Sequence, residues 1–340
     1  MNQRDRTYAA TGITLKSMPM GESDRLLTLL TKEHGLVRAI TPGARKPKSS
    51  LRAISTAFVV ADVLLVKGRN LDRLVQADCR ASFPGLSRDL GKLTAAQYLA
   101  ELVLSQAISQ NPQEELFAIL IDYLNQLSQR SPEDTLPCLV QGIFQFLELA
   151  GIAPQVQTCC VTKATLTPNL TDPTWHVDFD VAAGGVILAT QVNAANTAPT
   201  LKAAESSGQY VLSTTAPNTA SEVPPPILHK KGIRPIPVNA IELTVLQHLP
   251  QLNSNSEVRI PLSKIQHPTS KIQTCLTQQL NDHIAAQLFD GPLDDEDLQW
   301  VNGNVWRSLE RLLRRYAQYH FDQPIRSATL IETCFPETLG

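Results

Sequence analysis

Aromatic residues are scarce in this chain: Phe, Trp and Tyr make up 5% of its 340 residues. Aliphatic side chains must therefore fill its cores, and a hydrophobic content of 43% supplies them. Cysteine is sparse too. Cys79, Cys138, Cys159, Cys160, Cys275 and Cys334 are scattered, and the one close pair consists of sequence neighbours, which are badly placed to bond each other. That pattern speaks against a secreted disulfide framework. No run approaches the roughly eighteen consecutive apolar residues of a membrane helix. The start, Met1-Asn2-Gln3-Arg4-Asp5-Arg6, carries no apolar signal core. The expectation is a soluble, cytoplasmic protein with no membrane partner.

Catalytic signatures are missing as well. There is no G-x-x-x-x-G-K-[ST] phosphate loop, no G-x-G-x-x-G turn after a strand and no H-E-x-x-H. The seven histidines are dispersed, with none at metal-ligand spacing from another. The acidic run Asp294-Asp295-Glu296-Asp297 reads as a solvated loop or helix start. These gaps point to a binding protein and not an enzyme, with no catalytic residue, cofactor, metal or small-molecule substrate.

What the chain does have is a charge asymmetry. Residues 1–80 hold 14 Lys/Arg against 7 Asp/Glu, while the other 260 hold 16 against 25. A basic end on a chain of net charge −2 points to an electrostatic partner, most often nucleic acid. The cations recur between short apolar segments: Arg45, Lys46, Lys48 and Arg52 in one loop, Lys67, Arg69 and Arg73 around another. With Arg25 and Arg38 they form the candidate set of phosphate contacts, of which Arg45, Lys46 and Lys48 are the strongest. A small β-barrel with cationic loops suits a phosphate backbone. Only Tyr8, Phe58 and Phe83 are there to stack on bases, so backbone recognition with little sequence preference is expected. The ordinary reading of a four-residue basic cluster is solvated surface. Shaping by Pro42 and Gly43 and the recurrence of cations favour the functional one.

Alternation of apolar and polar residues marks five strands, near 7–17, 26–31, 36–41, 58–67 and 72–79, with turn residues between them. After Phe83-Pro84-Gly85 the period changes to 3.6. Three apolar stripes follow, the first through Leu93, Ala96, Leu99, Leu102 and Val103, the second through Leu116, Leu120, Tyr123, Leu124 and Leu127, the third through Leu136, Leu139, Val140, Ile143 and Leu147. Asn111-Pro112 and Ser131-Pro132 separate the helices. Residues 151–192 look irregular, with weak strands near 175–179 and 186–189. Residues 193–226 are rich in Ala, Thr, Ser, Asn and Pro and read as a flexible insertion. Helical signals return at 238–249, 268–289 and 302–320. On the last helix Arg307, Arg311, Arg314 and Arg315 form a stripe, read as a solvated face with a secondary DNA contact as the alternative.

Several spaced motifs resemble the RecO family of bacterial DNA repair proteins. They are the run from Pro19-Met20-Gly21-Glu22-Ser23-Asp24-Arg25 through Leu26-Leu27-Thr28-Leu29-Leu30-Thr31, then Glu33-His34-Gly35, Gly43-Ala44-Arg45-Lys46-Pro47-Lys48-Ser49, Lys67-Gly68-Arg69, Asp72-Arg73-Leu74, Phe83-Pro84-Gly85-Leu86 and Tyr98-Leu99-Ala100-Glu101-Leu102. Leu312-Leu313-Arg314-Arg315-Tyr316 and Pro324-Ile325-Arg326-Ser327 extend the match near the end. The resemblance implies an N-terminal oligonucleotide-binding (OB-fold) barrel, a helical domain and a small zinc-binding element. It further implies binding of single- and double-stranded DNA, annealing of complementary strands, and partnership with RecR and with the C-terminal tail of single-stranded DNA-binding protein so that RecA is loaded.

The sequence departs from that family where a four-cysteine zinc site would stand. Cys159 falls at the first ligand position, but Thr162, Leu188 and Gln191 occupy others, and one thiolate cannot supply a structural zinc site. The element is expected to fold without metal, on packing of residues such as Val177, Val186 and Ile187. The overall expectation is an α+β multidomain chain: an OB-fold at 1–82, a helical domain at 83–150, a zinc-finger-like element without its ligands at 151–192, an insertion at 193–237, and C-terminal helices at 238–330 packing on the helical domain. The helical domain offers an apolar groove for an acidic-ended peptide, flanked by Arg130 or Arg88. Two other functions stay open, an RNA-binding or ribosome-associated module and a scaffold that meets an acidic protein surface.

Overall fold

The computed structural model describes residues 6–188, 234–254 and 303–336. The insertion from 193 to 233, the helical signal at 268–289, the acidic run at 294–297, Gln191 and Cys275 lie outside them. The chain divides into two units, one of residues 1–153 with 244–340 and one of residues 154–243.

The first unit begins with five strands: β1 (Thr7–Met20), β2 (Asp24–Thr31), β3 (Gly35–Thr41), β4 (Val59–Val66) and β5 (Asp72–Ser82). They hydrogen-bond in the order β1-β2-β3-β5-β4, and β4 returns to β1, so the sheet closes into a barrel. Every pairing is antiparallel except β3 with β5, a short parallel contact of Ala39 with Asp72 and Ile40 with Arg73. Period-two alternation explains the interior. On β3, Val37, Ala39 and Thr41 point in while Arg38 points out. Leu27, Leu29, Val63, Leu65 and Leu74 fill the centre, each buried leucine stabilising the fold by about 2 kcal/mol. β1 and β5 run three residues past the expected 17 and 79. β1 can do so because a bulge at Leu15 shifts its register, from Thr14 opposite Leu29 to Lys16 opposite Thr28, and bends the strand around the barrel.

Helices α1 (Leu90–Gln106), α2 (Glu114–Gln129) and α3 (Thr135–Leu149) follow and carry the three expected stripes. Asp89 caps α1 by accepting the Lys92 N–H at 2.8 Å. α1 packs on α2 and α3. Gly142 permits the close approach, since a Cβ there would stand 3.0 Å from Leu99 Cδ2. Later in the chain, α4 (Ala240–Ser254) runs on past Pro250, where the sequence suggested an end. Asn239 and Glu242 close its start as a capping box, with bonds of 2.9 and 3.0 Å. α5 (Gly303–Phe321) packs against α3, and α6 (Ala328–Cys334) against α1. The C-terminal helices thus return to the helical domain through Leu309, Leu312, Leu313 and Ile331, all buried.

In the second unit, β6 (His176–Asp180) pairs with β7 (Gly185–Ile187) and β8 (Ile236–Asn239). β8 corrects the expected insertion boundary: Ile236 and Pro237 are strand residues on β6, and Val238 is buried. Val177, Val186 and Ile187 are buried with Phe179 and Val156.

The barrel is fixed to the helices at its β2–β3 turn. Leu36 N–H donates to Ile108 O at 3.0 Å, Gln110 N–H to His34 O at 2.9 Å and Gln113 N–H to Lys32 O at 2.9 Å. Gly35 sits beneath this seam with φ +62°, and a Cβ there would lie 2.1 Å from Ile108 O and 2.4 Å from Asn111 O. A Gly35→Ala chain should lose at least about 2 kcal/mol of unfolding free energy. Urea denaturation checks this, and an unchanged midpoint would contradict it.

Candidate nucleic-acid interface

Asp24, the first residue of β2, organises one end of the barrel. Its Oδ1 accepts the Gly43 N–H at 2.8 Å and the Ser23 hydroxyl at 2.9 Å. Those bonds, the Gly43 one foremost, hold its carboxyl below the usual range, with help from the nearby charges of Lys46 and Arg73. Arg45 binds the β1–β2 turn twice, its N–H to Ser23 O at 2.9 Å and its Nη1 to Gly21 O at 2.7 Å. The basic loop is therefore drawn onto the β1–β2 turn, and Lys46 and Arg73 stand near a single carboxylate. Lys67 and Arg69 lie in the neighbouring β4–β5 turn, where Gly68 N–H donates to Asp72 Oδ1 at 3.0 Å. Asp72 also accepts the Tyr8 hydroxyl; burial first, and then this bond, raise the phenol above its ordinary value.

Arg38 and Arg73 lie on β3 and β5, within the strands expected there, and Arg25 lies on β2, which begins at Asp24. Eight of the nine candidates are exposed and Arg25 is half-buried. Among the described residues none of the nine is in an ion pair; the surface pairs found there join Lys32 to Glu114 and Arg80 to Asp62. The nine do not form one patch. Arg25, whose Nε donates to Ser17 Oγ at 2.7 Å, and Arg52 line a cleft of about 950 Å³ between the barrel, α1 and the segment after α5. Arg38 stands on the outer face of β3. Lys48 is exposed in the basic loop with no side-chain bond among the described residues.

The family model described as Recombination protein O N terminal covers residues 5–83, and that described as Recombination protein O C terminal covers residues 87–208. A DNA repair protein RecO from Gloeothece citriformis is 39% identical over 337 residues, 97% of this chain and 98% of its own. One from a Cyanothece species is 43% identical over 329 residues, 97% and 96% of the two chains. The chain belongs to the RecO family. It is a DNA repair protein of that family, and among its described residues no helix is long and apolar enough to cross a membrane.

Two features of this RecO-family chain bear on the expectations from sequence. The arginine stripe of α5 does not present a common face. Arg307 is 6% exposed; its guanidinium donates to Phe335 O at 2.7 Å, to Asn304 Oδ1 at 2.7 Å and to Pro336 O, so it is turned inward and fastens the C-terminal segment instead of joining a solvated face. Arg314 turns between Glu310, at 3.6 Å, and Glu332, at 2.7 Å. Arg311 and Arg315 remain exposed. Each inward arginine meets a partner remote in sequence, which the stripe could not reveal.

The second feature is Cys159. Burial pushes its thiol up, but hydrogen bonds from Thr162, Leu188 and Val161 outweigh that and leave it below its ordinary value. The Thr162 N–H reaches Sγ at 3.5 Å. Thr162 and Leu188 offer neither thiolate nor imidazole, so the residues present do not fit a structural zinc ion. No group of three or more His, Cys, Asp and Glu able to hold a metal occurs among the described residues.

Glu310 is fully buried beside Tyr98. Burial pushes its carboxyl up to about 7, and Arg314 only partly offsets this. The folded chain then keeps a proton that the unfolded chain releases near 4.5, so this group's contribution to stability falls as pH rises from about 4.5 to 7. Glu310→Gln should be more favourable at pH 8 than at pH 5, by on the order of 2 kcal/mol. Thermal melts at the two pH values check it, and an identical effect at both would contradict the assignment.

Proposed function

We propose that this chain is a recombination mediator of the RecFOR type. It binds single- and double-stranded DNA, anneals complementary strands and helps load RecA together with RecR, without catalytic groups, metal or cofactor. The observation that carries the reading is the group of exposed cations around Asp24, on a closed five-stranded barrel in a chain of the RecO family. We read that barrel as an OB-fold. Its mechanism is electrostatic. Cations neutralise the phosphates of two strands at once, lower their mutual repulsion and let complementary bases meet. The helical domain takes the C-terminal tail of single-stranded DNA-binding protein. Arg130, a half-buried cation at the end of α2, is the candidate partner for the carboxylate of that tail.

Replacing Arg45, Lys46 and Lys48 together with Ala should weaken DNA binding about tenfold near 0.1 M salt, equally across sequences. Fluorescence anisotropy on three unrelated oligonucleotides checks it, and affinity equal to the parent at low salt would defeat the assignment. Arg130→Ala should lose affinity for an acidic peptide ending in a free carboxylate while DNA affinity is kept. Titration calorimetry with that peptide decides, and unchanged binding would rule Arg130 out.

A further inference from the structure

The cleft beside the barrel carries more than the sequence suggested. Lys16 and Arg326 line it together with Arg25 and Arg52, so four cations from four separate segments converge on one space of about 950 Å³. One carboxylate, Glu101, shares the lining, but it is occupied: its oxygens accept the N–H of Arg326 at 2.5 Å and of Ser327 at 3.3 Å. That bond holds the segment after α5 against α1 and fixes Arg326 at the cleft. The rest of the lining mixes hydroxyl and amide side chains, as at Thr56 and Gln97, with apolar ones, as at Ala57, Leu104 and Pro324, and the half-buried ring of Phe321 stands on one wall.

The floor is pre-shaped. Phe58 lies at φ +63°, an outlying conformation for a bulky residue. It is pinned there by its N–H to Thr14 O at 2.8 Å, next to the Thr14 hydroxyl bond to Ile54 O at 3.0 Å. A cleft with excess positive charge, amide donors at Gln97 and Gln323 and one half-buried ring matches a single nucleic-acid strand. Phosphates take the cations, sugars and phosphates take the neutral donors, and a base can stack on the ring. An acidic peptide would also engage the cations and the amide donors, and its binding is the competing outcome of the test below.

We propose that this cleft holds a single DNA strand through Lys16, Arg25, Arg52 and Arg326, with a base on Phe321, while the cations around Asp24 hold a second strand. The inference rests on the DNA-binding reading and divides it into two tracks, one per strand. In this division a duplex engages the Asp24 group alone.

The test uses the full chain with a fluorescein-labelled 20-nucleotide oligo(dT) and a 20-base-pair duplex. Lys16→Glu with Arg326→Glu should weaken oligo(dT) binding about tenfold and reduce the log–log salt slope by about 1.4, the value for two lost single-strand contacts, with duplex binding changed less than about twofold. The Arg45/Lys46/Lys48 alanine variant should weaken both. Parental oligo(dT) binding by the cleft variant, beside a weakened loop variant, would overturn the cleft and leave the DNA-binding reading standing. Parental binding by both variants would overturn the two together. Loss of an acidic peptide's affinity in the cleft variant, with oligo(dT) binding unchanged, would also overturn it. A measurement on the unaltered chain guards against misfolding: photocrosslinking of 5-iodouridine oligonucleotide should label the 321–326 segment, and labelling confined to 42–52 would overturn the proposal.

Discussion

Two residue pairs, Ala39 with Asp72 and Ile40 with Arg73, form the parallel contact that closes the barrel. Parallel neighbours need a long connection, and residues 42–71, which include β4, supply it. That connection begins with the basic loop, so closure and charge placement are linked. Joining β5 to β3 puts Arg73 beside the end of β3, where Asp24 has already drawn in Gly43 and Ser23. Cations far apart in sequence meet because the sheet cannot close otherwise.

The same segment serves the other side of the barrel. After the basic loop the chain passes Arg52 and reaches Phe58, held in its outlying conformation by Thr14. The bulge at Leu15 lies next to that anchor and turns Lys16 outward. From the far end of the chain, Glu101 captures the backbone at Arg326. Barrel and helical domain thereby frame one polar cleft, in the unit that also contains the Gly35 seam.

Alternation and helical period made the strands and the first three helices legible, because each element buries one face and Leu27, Leu65, Leu99 or Leu120 reports that face directly. Exposed charge was legible at Arg45, Lys46 and Lys48 for the same reason. Tertiary pairing was not. Nothing near Arg307 announces that Phe335 and Pro336 will take its guanidinium, and nothing near Arg314 announces Glu332. Arg25 and Arg73 look equivalent in sequence, yet one faces the cleft and the other lies by Asp24. Arg326 stood within a recognised motif but gained a candidate role only through the Glu101 bond. β8 was masked by proline-rich surroundings, since Pro237 lowers strand propensity even where the backbone pairs.

The central claim is that charge on the barrel, with no catalytic group, holds the DNA backbone. The most direct measurement is the dependence of single-strand affinity on salt for the intact chain, across roughly 50 to 300 mM. Six to eight phosphate contacts predict a log–log slope of about −4 to −6. A slope near zero, with binding retained, would contradict the account.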